Sequence, residues 1–135
     1  MKRKNIMIIA SISAVLILIV GIFMVFDINL NLFSLKSHQI YASQLSSILN
    51  EDYQFVDIRT ASEYNSDHID EFTTNIDFYQ FENNLSMLDV LDKDQPVVII
   101  CNSGNRSATA YTLMQNYGFK VVINVIDGMQ GWYAL

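Results

Sequence analysis

The sequence predicts an α/β domain with a central, mainly parallel sheet flanked by helices on both faces, preceded by one transmembrane helix. Three observations carry this expectation. Residues Ile6 to Phe26 form a run of 21 residues without charge or proline. Beyond it, short apolar runs alternate with segments of helical periodicity, the pattern of β–α units. One of those runs, Val97-Val98-Ile99-Ile100, ends at the chain's only cysteine, Cys101, which opens a polar loop before a helix.

The chain begins with the basic stretch Met1-Lys2-Arg3-Lys4-Asn5. At about 1.5 Å rise per residue, the apolar run that follows spans roughly 31 Å, close to the hydrocarbon thickness of a bilayer. It is longer than the apolar region of a cleavable signal peptide, about 7–15 residues, and ends without an Ala-x-Ala-like site. Residues 1–26 therefore read as an uncleaved signal anchor, and 27–38 as a juxtamembrane linker. Three basic residues precede the span and only Lys36 lies soon after it. The positive-inside rule then places the N-terminus in the cytoplasm and the domain, 39–135, outside the cell membrane.

All 14 acidic residues lie beyond the apolar run, with five of the eight basic ones: Lys36, Arg59, Lys93, Arg106 and Lys120. That part of the chain carries a formal charge of −9. Such a surface repels phosphate backbones, which argues against nucleic acid as a partner. A single cysteine excludes an intramolecular disulfide. Two histidines and one cysteine do not make a zinc pattern.

Within the domain, Gln39-Ile40-Tyr41 reads as a first short strand and Ala42 to Leu49 as a helix with Ser43 as N-cap. Tyr53 to Ile58 reads as a buried strand around Phe55, Val56 and Ile58. Thr60 is placed to cap a short helix over Ala61 to Tyr64, with Glu63 completing a capping box. Asn75 to Phe78 is expected to be a strand, and Phe81 to Leu91 a helix with Phe81, Leu85 and Leu88 inward. Pro96 closes a turn before the strand Val97–Ile100. A helix runs from about Ser107 to Tyr117 and stops at Gly118. Val121 to Ile126 is the last strand, and Asp127-Gly128-Met129 leads into a short terminal segment with Trp132.

A lone cysteine at a strand end ordinarily serves as a small apolar core residue. The residues after Cys101 point to a reactive thiol instead. Peptide dipoles and free N–H groups at a helix start favour negative charge, and successive N–H groups in a tight loop form an anion-binding nest. Gly104 permits positive φ there, and Arg106 adds a fixed charge. Each would stabilise a sulfur anion.

Three blocks, taken in order, resemble the rhodanese-like, or sulfurtransferase, family: Val56-Asp57-Ile58-Arg59 with Glu63-Tyr64 and His68-Ile69; the loop Cys101-Asn102-Ser103-Gly104-Asn105-Arg106-Ser107; and Asp127-Gly128-Met129 with Trp132. The resemblance covers nearly all of Gln39 to Trp132. It implies that Cys101 is the catalytic cysteine and that Cys101 to Arg106 form the six-residue active loop. In such domains the thiolate takes a sulfane sulfur from a donor such as thiosulfate and holds it as a persulfide in a cradle of backbone N–H groups. It then passes the sulfur to a thiophilic acceptor such as cyanide, a thiol or a protein cysteine, in two half-reactions. No metal or organic cofactor is implied. Four residues separate Cys101 from Arg106, one fewer than in the phosphatase signature, and the smaller cradle suits a persulfide better than a tetrahedral oxyanion.

Two features depart from the family. Asp70-Glu71-Phe72 stands where many members have Pro-Gly after the His-Ile pair, and Asn102 is neutral where several carry a basic residue. With the acidic domain, this disfavours thiosulfate as the natural donor. Asn102, Ser103, Gly104, Asn105, Arg106 and Ser107 are the expected substrate-binding residues. Arg106 suits two roles equally, orienting an anionic donor or tying the loop to a carboxylate. Ser107 suits both sulfur binding and capping. Asp57, Arg59, Glu63 and His68 are expected to support the site structurally. A Cys–His pair through His68 is the less favoured reading, and His38 has no partner by spacing. The first function expected is a membrane-anchored sulfurtransferase. A persulfide-relay or docking module with little small-molecule turnover is the alternative, and a thiol sensor the third, weakened by the lack of a resolving cysteine.

Overall fold

The computed structural model describes residues 17–22, 24 and 39–135 of the chain. The chain divides into two compact units, Met1–Lys36 and Ser37–Leu135. In the first unit, residues 17–22 and Met24 are helical, and Ile17, Leu18, Ile22 and Met24 are exposed. Among the described residues, no helix is long and apolar enough to cross a membrane. They therefore do not support the expected transmembrane helix. Most of that span, and the linker with Lys36 and His38, lies outside the described residues.

The second unit holds a five-stranded sheet: β1 (Gln39–Ile40), β2 (Gln54–Asp57), β3 (Thr74–Asn75), β4 (Val97–Ile100) and β5 (Val122–Val125). Its spatial order is β1-β5-β4-β2-β3. Every pairing is parallel, with Phe55 opposite Val98, Val98 opposite Ile123, and Ile40 opposite Val125. The α-helices are α1 (Ala61–Ser66), α2 (Phe78–Phe81), α3 (Asn105–Asn116) and α4 (Gly128–Tyr133). The central strand β4 is buried along its whole length, as expected for a parallel strand covered on both faces.

Because side chains alternate across a strand, the sheet carries two cores. On one face Val56, Ile58, Val97, Ile99, Cys101 and Val122 pack with Ala110 and Met114 of α3 and with Phe78, Phe81 and Leu88. On the other, Phe55, Val98, Ile100 and Val125 pack with Ala42, Leu45, Ile69, Phe72 and Met129. Cys101 continues the β4 alternation and so faces α3.

Three expected elements differ. The segment expected to be a helix over Ala42 to Leu49 is a 3₁₀ turn over Ala42–Ser47, flanked by Tyr41 rather than capped by Ser43. Its buried residues, Ala42 and Leu45, are three apart, which matches the 3₁₀ period. The expected helix from Phe81 to Leu91 is two pieces, α2 and a 3₁₀ turn over Leu85–Val90. Asp77 starts the first piece early by accepting the Tyr79 N–H at 3.0 Å. Phe78 thus belongs to a helix, and the strand expected over Asn75 to Phe78 shrinks to β3. The break falls at Glu82-Asn83-Asn84, where the Asn84 side chain accepts the Ser86 hydroxyl at 2.7 Å. Such local side-chain bonds compete with helix continuation.

Candidate active site

Cys101 stands at the C-terminal end of β4 and is fully buried. The backbone turns from it through Asn102, Ser103 and Gly104 into α3. Gly104 is the N-cap of α3 with φ +87°, a conformation that L side chains rarely adopt. A Cβ at Gly104 would also collide with the Ile126 carbonyl. In this conformation the Gly104 N–H donates to Cys101 Sγ at 3.1 Å. The Ser107 hydroxyl donates to the Gly104 carbonyl at 3.1 Å, and the Cys101 thiol points to Ser107 Oγ at 3.5 Å. Ser107 is buried, so it closes the loop from inside while bordering the sulfur. Ser103 and Asn105 are exposed and Asn102 is half-buried.

The third sequence block fixes the loop from behind. Met129 N–H donates to the Cys101 carbonyl and Gln130 N–H to the Asn102 carbonyl, both at 2.9 Å. The first turn of α4 thus spends its free donors on the start of the cysteine loop. Gly128 makes the approach possible: φ is +59°, and a Cβ there would lie 2.5 Å from the Cys101 carbonyl oxygen. Asp127 ties this corner to the far edge of the sheet by accepting the Ala42 N–H at 2.8 Å.

Asp57 and Arg59 form a buried pair at the end of β2, 2.7 Å at its closest. Asp57 also accepts the Arg59 backbone N–H at 2.8 Å, and Arg59 donates to the Asp67 carbonyl at 2.6 Å. Asn75 of β3 donates to the carbonyls of Asp57 and Arg59 at 2.9 and 2.8 Å. These residues shape the β2–α1 junction. Glu63 caps α1, accepting from Thr60 N–H and Oγ1 at 3.0 and 2.8 Å. The same carboxylate takes two bonds from the Arg106 guanidinium, at 2.9 and 2.7 Å. Of the two roles open to Arg106, the structure shows the carboxylate tie. The guanidinium lies 5.5 Å from the centre of the Tyr79 ring, a neighbour that nothing in the sequence spacing signalled. The Arg106 bonds, followed by those from Thr60, hold the Glu63 carboxyl down at about 2 despite burial. Reciprocally, the Glu63 bonds raise the Arg106 pKa against burial, with smaller electrostatic contributions that include Cys101.

His68 is held by Tyr64, with Nδ1 3.1 Å from the Tyr64 carbonyl and the two rings stacked at 4.1 Å. It lines a surface pocket with Leu49, Ile69, Asp70, Glu71 and Trp132, none of which belongs to the cysteine loop. The structure therefore gives His68 a turn position rather than a pairing with Cys101. Among the described residues, no three His, Cys, Asp or Glu side chains are grouped to hold a metal ion.

The arrangement is a buried free thiol with a backbone donor on its sulfur, in a loop locked by two glycines. Over 96 residues the chain is 27% identical to the thiosulfate sulfurtransferase GlpE of Pseudomonas savastanoi, covering 71% of this chain and 87% of that protein. It is 36% identical over 83 residues to a Bacillus subtilis protein named as a candidate sulfur carrier, YrkF, and that match spans only 43% of YrkF's length. The crystal structure of a rhodanese-like domain protein from Staphylococcus aureus superposes with a TM-score of 0.60 at 28% identity, covering 70% of this chain and 89% of that one. Residues 41–135 match the family described as the rhodanese-like domain, and the chain belongs to that family.

Proposed function

We propose that this chain is a membrane-anchored sulfurtransferase that moves a sulfane sulfur from a donor, thiosulfate or a persulfide, to a thiophilic acceptor through a Cys101 persulfide. The observation that carries this reading is the Gly104 N–H on Cys101 Sγ at 3.1 Å, within a complete six-residue loop at the start of α3. A thiolate there receives a hydrogen bond and the positive end of a 12-residue helix. It attacks the outer sulfur of the donor, and the leaving group departs with the electrons of the broken bond. The acceptor then attacks the outer sulfur of the Cys101 persulfide and restores the thiolate. No oxidant is consumed.

The first 26 residues serve as the anchor in this reading, with the N-terminus cytoplasmic and the domain on the outer face of the cell membrane. The uncharged run from Ile6 to Phe26 and the basic residues before it support it. A tethered domain meets membrane-bound acceptors at raised effective concentration. The sulfur-carrier name of one relative favours a second reading, a relay that takes its sulfur from a protein persulfide.

The test is intact mass spectrometry of the full chain in detergent after brief exposure to thiosulfate, methanethiosulfonate or a low-molecular-weight persulfide, and then to cyanide. Gain of one sulfur atom, removed by cyanide and absent in Cys101→Ser, is the expected result. No gain from any small donor, with the thiol reduced and the protein folded, would transfer the case to the relay.

A further inference from the structure

Among the described residues, every Lys and Arg side chain is ion-paired with a carboxylate: Arg59 with Asp57, Lys93 with Asp89, Arg106 with Glu63 and Lys120 with Asp94. Only Arg106 lies in the cysteine loop. Its guanidinium meets both oxygens of Glu63, at 2.9 and 2.7 Å, a fork geometry that takes up the donors best suited to a bound anion. The other loop residues, Asn102, Ser103, Gly104 and Asn105, are uncharged. Glu63 is itself fixed by Thr60, whose N–H and hydroxyl both bond to Oε2. A pre-held carboxylate is harder for an incoming anion to displace than a free one.

We propose that Glu63 is a specificity-determining residue: by occupying Arg106 it sets the loop against dianionic sulfur donors and in favour of donors bearing one negative charge or none, such as thiosulfonates and persulfides. This rests on the sulfurtransferase reading above and names its substrate class. With thiosulfate, Cys101 thiolate takes the outer sulfur and sulfite leaves as a dianion. With methanethiosulfonate, the same bond breaks and methanesulfinate leaves with a single charge. The first reaction needs an uncommitted cation near the sulfur more than the second does.

These two donors differ by a methyl group in place of a charged oxygen, so the ratio of their kcat/KM values reads the charge at the site. The measurement uses the full chain in detergent with cyanide as acceptor. Glu63→Gln keeps an acceptor for Thr60 but frees the Arg106 charge. It is expected to raise the thiosulfate-to-methanethiosulfonate ratio roughly five- to tenfold, chiefly through a lower KM for thiosulfate. Arg106→Gln leaves Glu63 uncompensated and lowers the ratio. The double variant restores neutrality and returns the ratio towards the parent value, as a cycle of coupled residues requires. A purely structural role would change both donors together and leave the ratio alone. If Glu63→Gln does not fold, the downward shift in Arg106→Gln decides the case. An unchanged ratio in both single variants, with both donors still loading Cys101, overturns the inference and spares the sulfurtransferase reading. Failure of both donors on the parent protein, with a low-molecular-weight persulfide failing as well, removes that reading and this inference with it.

Discussion

Cys101 directly follows a buried strand of pure hydrocarbon side chains, and its sulfur still meets a donor. That combination depends on Gly104, which turns its N–H onto Sγ in a conformation only glycine holds without strain. Gly104→Ala should therefore abolish sulfur loading and lower thermal stability together, by about 1–3 kcal/mol or more. Cys101→Ser should abolish loading alone, with circular dichroism and melting temperature close to the parent. Ser107→Ala separates the two effects. It leaves the buried Gly104 carbonyl without the hydroxyl and costs about 1–2 kcal/mol in chemical denaturation. Loading should persist more slowly, because the Gly104 N–H remains on the sulfur. Retention of full loading in Gly104→Ala would show that the backbone cradle is not what holds the sulfur.

Contiguous features were the legible ones. The strand Val97–Ile100, the loop after it and the helix behind it follow one another, so apolar runs, a glycine and helical spacing suffice to place them. The 3₁₀ turns were missed because six residues with two inward side chains read as a short helix, and nothing local states the tighter period. The link between α1 and α3 was invisible for another reason: Glu63 and Arg106 are 43 positions apart, and only the folded sheet brings them within 2.7 Å. This pair yields a pH prediction. The Glu63 carboxyl lies at about 2 in the folded protein, against an ordinary value of 4.5. Between those values the unfolded chain binds the extra proton, so stability falls as pH falls. The contribution is fully present above pH 4.5 and lost by about pH 2. The carboxylate is about one-third exposed, and solvent screening reduces the effect to about 1 kcal/mol. Urea midpoints measured from pH 5 to pH 2 should therefore drop more steeply for the parent than for Glu63→Gln. Parallel curves would mean that the pair adds nothing to stability.

Across the whole molecule, charge divides the chain into a basic start and an acidic domain, and the uncharged run lies between them. In the proposed reading the division would set the side of the membrane on which the sulfur chemistry takes place. If the run crosses a bilayer, the three leading basic residues hold the N-terminus in the cytoplasm and the domain meets donors outside. Cys101 is too buried to report this by labelling, but Ser47 is exposed on the 3₁₀ turn. The Ser47→Cys variant should react with a membrane-impermeant maleimide in intact cells. The full chain should stay with membranes in alkaline carbonate, and deletion of residues 1–26 should release it. Reaction only after permeabilisation would place the domain in the cytoplasm, where persulfides of low-molecular-weight thiols and of proteins are at hand. Reaction in intact cells would place a single, undisulfided thiol in an oxidising space, where its burial and the closed loop matter most. In the proposed reaction a Cys101 persulfide shielded by the loop would be protected from oxidants that an exposed thiol meets, and burial that looks unhelpful to a nucleophile would preserve the sulfur between the two half-reactions.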